Sequence, residues 1–180
     1  MTESAFYTAK GDRGDTSRLA DNERIAKSST LIEALGTIDE ATSAIGMARA
    51  LSRSARLREA LPTAQRHIIK LMSHLSATPD ARTTYCGVTQ DDLGWLQDLI
   101  ADIETTLPPL TNFVLPGDSS ASAALHVART VVRRAERRMV AIASAEPGIS
   151  DINLAYLNRL SSLLFVAALY EDIRSPGAGP

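Results

Sequence analysis

The feature that most constrains the fold is an uninterrupted apolar periodicity between residues 119 and 143. Pro116 and Gly117 predict a turn before it, Ser119 or Ser120 can cap a helix, and no Pro or Gly follows until after this stretch. Apolar side chains recur at alternating spacings of three and four, at Leu125, Ala128, Val132, Ala135, Met139 and Ile142. This spacing is typical of a helix that buries a narrow seam in a bundle.

A stripe of arginines runs beside this seam, within the ten residues from 129 to 138. Its members are Arg129, Arg133, Arg134, Arg137 and Arg138. One interpretation is a solvated helix face, on which the arginines pair with a nearby glutamate. The other is that fixed guanidinium forks bind a polyphosphate or carboxylates in bidentate geometry. The stripe alone leaves both interpretations open.

The composition favours one helical domain without a general affinity for nucleic acid. The chain has 180 residues, and only 4% of them are aromatic, which favours helices over a β-sandwich. The net charge is −2, so the positive charge is local to the arginine stripe. The N-terminal residues lack an apolar signal region, and we expect no run of transmembrane length. A cytoplasmic protein without a membrane partner is therefore expected.

Cysteine and histidine are too sparse to predict a protein-held metal. Cys86 is the only cysteine, which excludes an intrachain disulfide. His67, His74 and His126 are scattered and form no zinc motif. We interpret His67 and His74, seven residues apart on one predicted helix, as surface or interface residues.

Residues 1–27 are predicted to be a non-helical arm. Gly11 and Gly14 in YTAKGDRGDTS would let the backbone turn tightly and present N–H groups to an anion. An exposed glycine turn explains the same pattern without a ligand, and the Walker A motif is absent.

Five helices follow this arm, with Pro62 in the first turn of the second helix. They are predicted at about 29–51, 61–75, 89–106, 119–143 and 151–173. Thr89 and Asp92 resemble a capping box at the start of the third. Asn158, taken alone, is typical of a buried amide that sets helix register. The prediction is an all-α five-helix bundle in a single domain over 1–180, with the bundle at 28–174 and a disordered tail at 175–180.

Four segments of the chain together resemble a known family. They are YTAKGDRGDTS, then Lys27 followed by EALGTIDEATSAIG, then NFVLPGD with ALHVARTVVRRAER, and finally YLNRLSSLLF. In this order they resemble the PduO-type ATP:cob(I)alamin adenosyltransferases, from Tyr7 to about Leu169. The resemblance implies that family's trimeric five-helix fold.

The activity that this resemblance implies is transfer of the 5′-deoxyadenosyl group of ATP to cob(I)alamin, giving adenosylcobalamin and tripolyphosphate. The substrates would be MgATP and cob(I)alamin, with Mg²⁺ carried by ATP and no metal held by protein side chains. Co(I) is itself a strong nucleophile, so no activated Ser, Cys or His is required. The implied partners are two further copies in a homotrimer, a cobalamin reductase and an adenosylcobalamin-dependent acceptor enzyme.

The resemblance also implies roles for individual residues. The ATP-binding positions are Thr8, Ala9, Lys10, Gly11, Thr16, Ser17, Lys27, Arg133, Arg134, Glu136, Arg137 and Asn158. The catalytic positions are Arg133, Phe113, Asp39 and Arg129, of which the last three also bind cobalamin. Phe113 would displace the lower axial ligand of the cobalamin. Asp39 and Arg129 would form a salt bridge across the subunit interface.

Several positions depart from the family pattern. Lys10 stands where Thr is usual, Ser28 and Ser29 follow Lys27 instead of two acids, and Asp15, Asp118 and Ser162 also differ. Asp15 and Asp118 add negative charge where an anionic ligand is expected. The alternative hypothesis is therefore a divergent member that binds ATP or cobalamin without turnover, as a sensor or carrier. A purely structural bundle is the third hypothesis.

Overall fold

The computed structural model describes residues 9–20, 23–143, 149 and 151–174, so Thr8 and the predicted tail lie outside the described residues. Within the described ranges the chain forms a two-stranded hairpin and five long α-helices. These are β1 (Asp15–Ser17), β2 (Arg24–Ala26), α1 (Thr30–Leu51), α2 (Ala55–Ser76), α3 (Gln90–Glu104), α4 (Ser120–Ala143) and α5 (Asp151–Asp172). A short 3-10 helix, Pro79–Thr83, lies between α2 and α3. The predicted all-α class is confirmed.

The core is built from the apolar seams of α4 and α5. All six predicted seam residues of α4 are buried, and so are Leu157, Leu160, Leu164 and Ala167 of α5. Helix α4 packs against α1 on one side and α5 on the other, while α2 covers α1 and α3 covers α5. In α1 the predicted seam residues Leu35 and Thr42 are only half-buried, because Ala34 and Ala41 face the core instead.

Ion pairs join the exposed edges of α1 and α4 and show that the two helices run antiparallel. Arg138 Nη2 lies 3.1 Å from Glu33 Oε1, and Arg134 pairs with Glu40 further along both helices. Both pairs are exposed, so each adds only about 0.5 kcal/mol to the free energy of unfolding. Their main effect is to engage two of the five arginines of the stripe.

Polar side chains begin α3 and α4 as predicted. Thr89 and Asp92 form a reciprocal capping box at the start of α3. At the start of α4, Ser119 Oγ accepts from the Ser122 N–H at 3.1 Å, which satisfies one otherwise unpaired backbone donor. Asp172 at the end of α5 accepts from both serine hydroxyls and so ties the two helix ends together.

The predicted start of α2 was wrong. The helix begins at Ala55, where Ser54 Oγ accepts from the Leu57 N–H at 3.3 Å, and Pro62 lies in the helix interior. Proline cannot donate a backbone hydrogen bond, so the helix continues through Pro62 with one backbone hydrogen bond fewer. Burial of Leu57 and Leu61 on one helix face favours this continuation.

A buried carboxylate explains why α2 begins at Ala55. Glu171 of α5 is 1% exposed and accepts hydrogen bonds from the Ser52 hydroxyl and from the backbone N–H groups of Arg53 (3.3 Å) and Ser54 (3.2 Å). These N–H groups belong to the tight connection between α1 and α2. A residue near the end of the chain therefore holds the connection between the first two helices.

The interpretation of His67 as a surface or interface residue was also wrong. His67 is buried, its Nδ1 lies 3.0 Å from the Tyr156 hydroxyl, and its Nε2 lies 3.0 Å from Asp92 Oδ1. Burial lowers the pKa of His67 and raises that of Tyr156. Lys70 also contacts Asp92, at 2.9 Å. This network joins α2, α3 and α5 through polar groups that satisfy one another.

Helix α5 contradicts the expectation that no run reaches transmembrane length. By length and composition, it is the one helix among the described residues that could cross a membrane: it has 22 residues, and an 18-residue stretch of it has a mean hydropathy of 1.4. Within the bundle, 56% of this apolar stretch of α5 is buried. A central core helix has the same length and composition, which accounts for the finding.

We predict that Glu171→Ala destabilises the protein strongly. The substitution leaves buried backbone and hydroxyl donors without their carboxylate, and such a loss costs about 3 kcal/mol of unfolding free energy. Urea denaturation measures the change. The matched control is Glu59→Ala, which removes an exposed carboxylate from the surface of α2. Equal, small effects of the two substitutions would contradict the role of Glu171.

Candidate functional site

The arginine stripe of α4 is divided between two faces of the helix. Arg134 and Arg138 point toward α1, where they pair with acidic residues. Arg133 and Arg137 lie on the opposite side, next to α5. The solvated-face interpretation therefore describes one half of the stripe, and the other half lines a cleft. Arg134, predicted to bind ATP, lies on the α1 side in this chain.

The smaller of two adjoining clefts is polar and has a volume of about 280 Å³. It is lined by Arg133, Glu136, Arg137, Val140 and Asn158. The Asn158 amide donates to Glu136 Oε1 at 2.9 Å, so the two side chains hold each other across α4 and α5. Asn158 is exposed, and its interpretation as a buried amide was wrong. Two guanidinium groups, one carboxylate and one amide make this cleft suitable for a phosphate chain.

The larger cleft is more apolar and has a volume of about 660 Å³. Its floor comes from Phe165, Val166 and Leu169 of α5, and its wall from the segment 107–110 after α3. Arg129 and Arg133 line it from α4, and Ser162, a departure from the family pattern, lines it from α5. Arg133 borders both clefts and marks the point where they meet.

The arm folds as a hairpin in which β1 and β2 pair antiparallel, with Thr16 opposite Ile25. Gly14 has φ +84°, a conformation that favours glycine, and its N–H donates to the Gly11 carbonyl at 3.2 Å. Lys27 Nζ donates to the same carbonyl at 2.8 Å. A Cβ on Gly11 would lie 3.1 Å from Lys27 Nζ, so glycine permits this close approach. The tight turn predicted at Gly11 and Gly14 is present.

The hairpin also explains the unusual acid at position 15. Asp15 accepts a bidentate pair of hydrogen bonds from the Arg24 guanidinium. The same guanidinium also donates to Ser17 Oγ at 3.1 Å and to the Lys10 carbonyl at 2.6 Å. The hydrogen bond from Arg24 holds the pKa of Asp15 below its usual range. The charge of Asp15 is thus balanced within the arm. Sequence reasoning missed Arg24, because only the hairpin register brings it to Asp15.

The other predicted site residues lie apart from this pair of clefts. Phe113 is fully exposed in the loop between α3 and α4. Asp39 lines a groove of about 650 Å³ between α1 and α2, together with Leu35, Ile69 and Met72. That groove shares no lining residue with the larger cleft, which contains Arg129. The two members of the predicted salt bridge are therefore on different surfaces of one chain.

The arm residues are likewise separate from the arginine cleft. Ala9, Lys10, Ser17 and Arg24 line a cleft of about 680 Å³ that has no residue in common with the cleft of Arg133 and Arg137. Among the described residues, no group of three or more His, Cys, Asp or Glu side chains is arranged to hold a metal ion.

Comparisons with known proteins agree with this architecture. A sequence model of the family described as cobalamin adenosyltransferase matches residues 6–171. The corrinoid adenosyltransferase of Mycobacterium leprae (strain TN) is 40% identical over 169 residues, which cover 89% of this chain and 87% of that protein. The corrinoid adenosyltransferase PduO of Citrobacter freundii is 34% identical over 93% of this chain. The chain spans 50% of the length of that relative.

Solved structures give the same result for the fold. A phenylalanine-to-histidine variant of the PduO-type ATP:corrinoid adenosyltransferase from Lactobacillus reuteri, complexed with cobalamin and ATP, has a TM-score of 0.86 and is 30% identical. The match covers 93% of this chain and 91% of that one. An arginine-to-lysine variant of the enzyme, complexed with ATP, has a TM-score of 0.84 and is also 30% identical; the match covers 93% of this chain and 94% of that one. The resemblance of the four sequence segments is therefore confirmed, and the chain belongs to the cobalamin adenosyltransferase family.

Proposed function

We propose that this chain transfers the 5′-deoxyadenosyl group of ATP to the cobalt of cob(I)alamin, releasing tripolyphosphate, at sites between the subunits of a homotrimer. ATP:corrinoid adenosyl transfer is the activity of the family to which the chain belongs. The observation that carries the assignment of the site is the position of Arg133, which borders both the polar and the apolar cleft. A group at that junction can contact the two substrates where they react.

The reaction requires little of the protein beyond position and charge. Co(I) of the substrate supplies the electron pair that forms the cobalt–carbon bond to C5′. The bond between C5′ and the triphosphate oxygen breaks, and its electrons leave with the triphosphate. In the smaller cleft, Arg133 and Arg137 would stabilise this departing anion. No side chain has to remove a proton, so Glu136, the one carboxylate among the residues that line this cleft, is not required as a general base.

The larger cleft would receive the apolar side of the corrin ring. Its apolar floor on α5 and the two arginines at its edge suit a flat ring with amide side chains. Phe113 is fully exposed in the loop whose residues 107–110 form the wall of this cleft. A large apolar side chain gains free energy when a ligand covers it. We propose that Phe113 takes the place of the lower axial ligand.

The arm would bind ATP through Ala9, Lys10, Gly11, Thr16, Ser17 and Lys27, together with Thr8. Lys27 would exchange the Gly11 carbonyl for phosphate oxygens. Because Arg24 already balances Asp15, that acid does not oppose an anionic ligand as its charge alone suggests. This balance favours turnover over the alternative of an inert binder.

A Mg²⁺ that accompanies ATP would be held mainly by phosphate oxygens, with Glu136 as the acid nearest to the small cleft. One carboxylate fits that role, since Mg²⁺ at phosphate sites usually takes one or two. The metal would offset the charge of the triphosphate. The proposed partners are a cobalamin reductase and an adenosylcobalamin-dependent acceptor enzyme, and the proposed location is the cytoplasm.

The separation of the predicted residues on one chain supports a site shared between subunits. Arm residues and Arg133 line different clefts, and so do Asp39 and Arg129. In a closed ring, each chain can present one surface to the next. We propose that the arm of one chain meets α4 of its neighbour and that Asp39 pairs with Arg129 across the same interface.

Anaerobic turnover tests the proposed function. Purified protein is mixed with MgATP and chemically reduced cobalamin, and formation of the cobalt–carbon bond is followed by absorbance. Adenosylcobalamin and tripolyphosphate in equal amounts are expected. Binding of both substrates without product would favour the sensor or carrier, and binding of neither would favour a structural bundle.

We predict that Arg133→Ala lowers kcat/KM for ATP by about a hundredfold, because it removes a guanidinium from the departing triphosphate. Steady-state kinetics with saturating cob(I)alamin measure the loss. Arg138→Ala is the matched control, since Arg138 is exposed on the same helix but faces α1. Near wild-type kinetics for Arg133→Ala would contradict its role.

We predict that Phe113→Ala leaves ATP affinity unchanged and slows adenosylation, because the lower ligand then stays on the cobalt. The electronic spectrum of bound cob(II)alamin reports the coordination number directly. Leu115→Ala, in the same loop and 81% exposed, serves as the control. Four-coordinate cobalamin in Phe113→Ala would show that another group displaces the ligand.

We predict that Asp39→Asn weakens the trimer or its affinity for cobalamin by about tenfold, because a bidentate partner of Arg129 is lost. Sedimentation velocity and cobalamin titration measure the two effects. Glu40→Gln is the control, since Glu40 already pairs with Arg134 within the chain. No change in either measurement would exclude the interface pair.

A further inference from the structure

A buried histidine beside the larger cleft has no role in the site described so far. His126 lies on α4 one turn before Arg129 and is 4% exposed. Its ring meets Phe165 of α5 edge-on, with the centroids 5.9 Å apart and the planes at 68°. Phe165 also forms the floor of the larger cleft. His126 therefore lies directly behind the surface proposed to face the corrinoid.

The hydrogen bond between Arg129 and His126 fixes the proton on the histidine ring. Arg129 Nε lies 3.3 Å from His126 Nδ1. A guanidinium nitrogen always donates, so Nδ1 accepts and the neutral ring carries its proton on Nε2. The histidine thus serves as an acceptor for one edge of the Arg129 guanidinium.

The other ring nitrogen shows that packing alone does not explain this histidine. Among the described residues, no hydrogen-bond partner reaches Nε2 of His126, although that atom is buried. An unpaired buried donor destabilises the fold, and an apolar ring in the same space would avoid this cost. The contact with Arg129 is the interaction that an apolar ring could not make.

The same contact determines which donors Arg129 presents to the cleft. Because Nε donates to His126, the two terminal nitrogens of the guanidinium remain as coplanar donors for another group. Within the described part of the chain, no other hydrogen bond holds them. Arg129 is half-buried and lines the larger cleft, so its orientation depends on the ring behind it.

We propose that His126 is a positioning residue, which orients the Arg129 guanidinium for the corrinoid side of the reaction by accepting its Nε–H. The proposal rests on the proposed function, because it assigns Arg129 to the corrinoid cleft. His126 itself touches neither substrate. Its effect reaches the corrinoid only through the guanidinium, so its loss should change corrinoid affinity more than the rate at saturation.

The geometry also predicts a dependence on pH. Burial and the adjacent Arg129 lower the pKa of His126, while Asp172 of α5 raises it. When acid protonates the ring, Nδ1 gains a hydrogen and can no longer accept from Arg129. The KM for cob(I)alamin should therefore rise as the pH falls through the pKa of His126, which lies below the ordinary value near 6.5.

Four variants test the proposal. His126→Leu removes the acceptor and should raise the KM for cob(I)alamin about tenfold with little change in kcat. His126→Asn places an amide oxygen close to the position of Nδ1; it should retain most of the affinity and lose the acid-dependent rise in KM. His67→Leu, at an equally buried histidine away from Arg129, is the control and should lower the Tm without a selective change in KM. The fourth variant, Arg129→Ala, removes the guanidinium itself and is the reference for the double variant.

The double variant His126→Leu/Arg129→Ala decides between positioning and a general structural role. If His126 acts through Arg129, the double variant has the same KM for cob(I)alamin as Arg129→Ala alone. The proposal would be overturned if the two substitutions raised the KM for cob(I)alamin additively, or if His126→Leu and His67→Leu changed that KM equally.

A measurement without turnover separates this proposal from the proposed function. Nitrogen-15 NMR of wild-type His126 should show the neutral ring protonated on Nε2, and Arg129→Ala should release that preference. A wild-type ring protonated on Nδ1 would overturn the positioning role even in an active enzyme. If the wild type lacks turnover, the proposed function fails, and the NMR result still decides the hydrogen bond.

Discussion

The rotation of α4 about its own axis is the constraint on which the site depends. Small and branched apolar residues form one continuous seam, and burying that seam between α1 and α5 leaves the guanidinium groups no position except the two flanks. The flank toward α1 meets glutamates and forms ion pairs. On the flank toward α5, Glu136 bonds to Asn158. Among the described residues no ion pair engages Arg133 or Arg137, so these two guanidinium groups remain available for an anion.

The same rotation places Arg133 between a polar and an apolar cleft. A reaction between a charged nucleotide and a largely apolar corrin ring needs both environments in contact. In the proposed site the rigid helix would supply both from neighbouring turns, so Arg129, Arg133 and Arg137 would be positioned by the backbone of α4 rather than by a loop. The described residues that line the two clefts include arginines and no activated nucleophile, which agrees with the catalysis by position and charge that we propose.

Much of this architecture could be predicted from the sequence, because it depends on local pattern. The seams of α4 and α5 follow from side-chain spacing, and the capping box of α3 follows from Thr89 and Asp92 alone. The start of α2 could not be predicted, because the carboxylate that holds the preceding connection comes from Glu171, more than a hundred residues later. Single-sequence patterns carry no information on such distant pairs.

Contacts between separate elements also account for what was missed in the site. Arg24 balances Asp15 only through the register of a short hairpin, and the division of the arginine stripe required knowing which helix lies on each side of α4. His126 could be noticed as a histidine on α4, but nothing in its spacing indicates that its ring would lie behind the cleft.

In the mechanism that we propose, the arm of one chain and α4 of the next complete a single site. Two inactive variants, Lys27→Ala and Arg133→Ala, are co-expressed with different tags, and trimers that contain both are isolated. Each mixed trimer has one interface with an intact arm facing an intact α4, so about one third of wild-type adenosyltransferase activity should return. Mixed trimers as inactive as the parent variants would show that each site is built within one chain and would exclude a site shared between subunits.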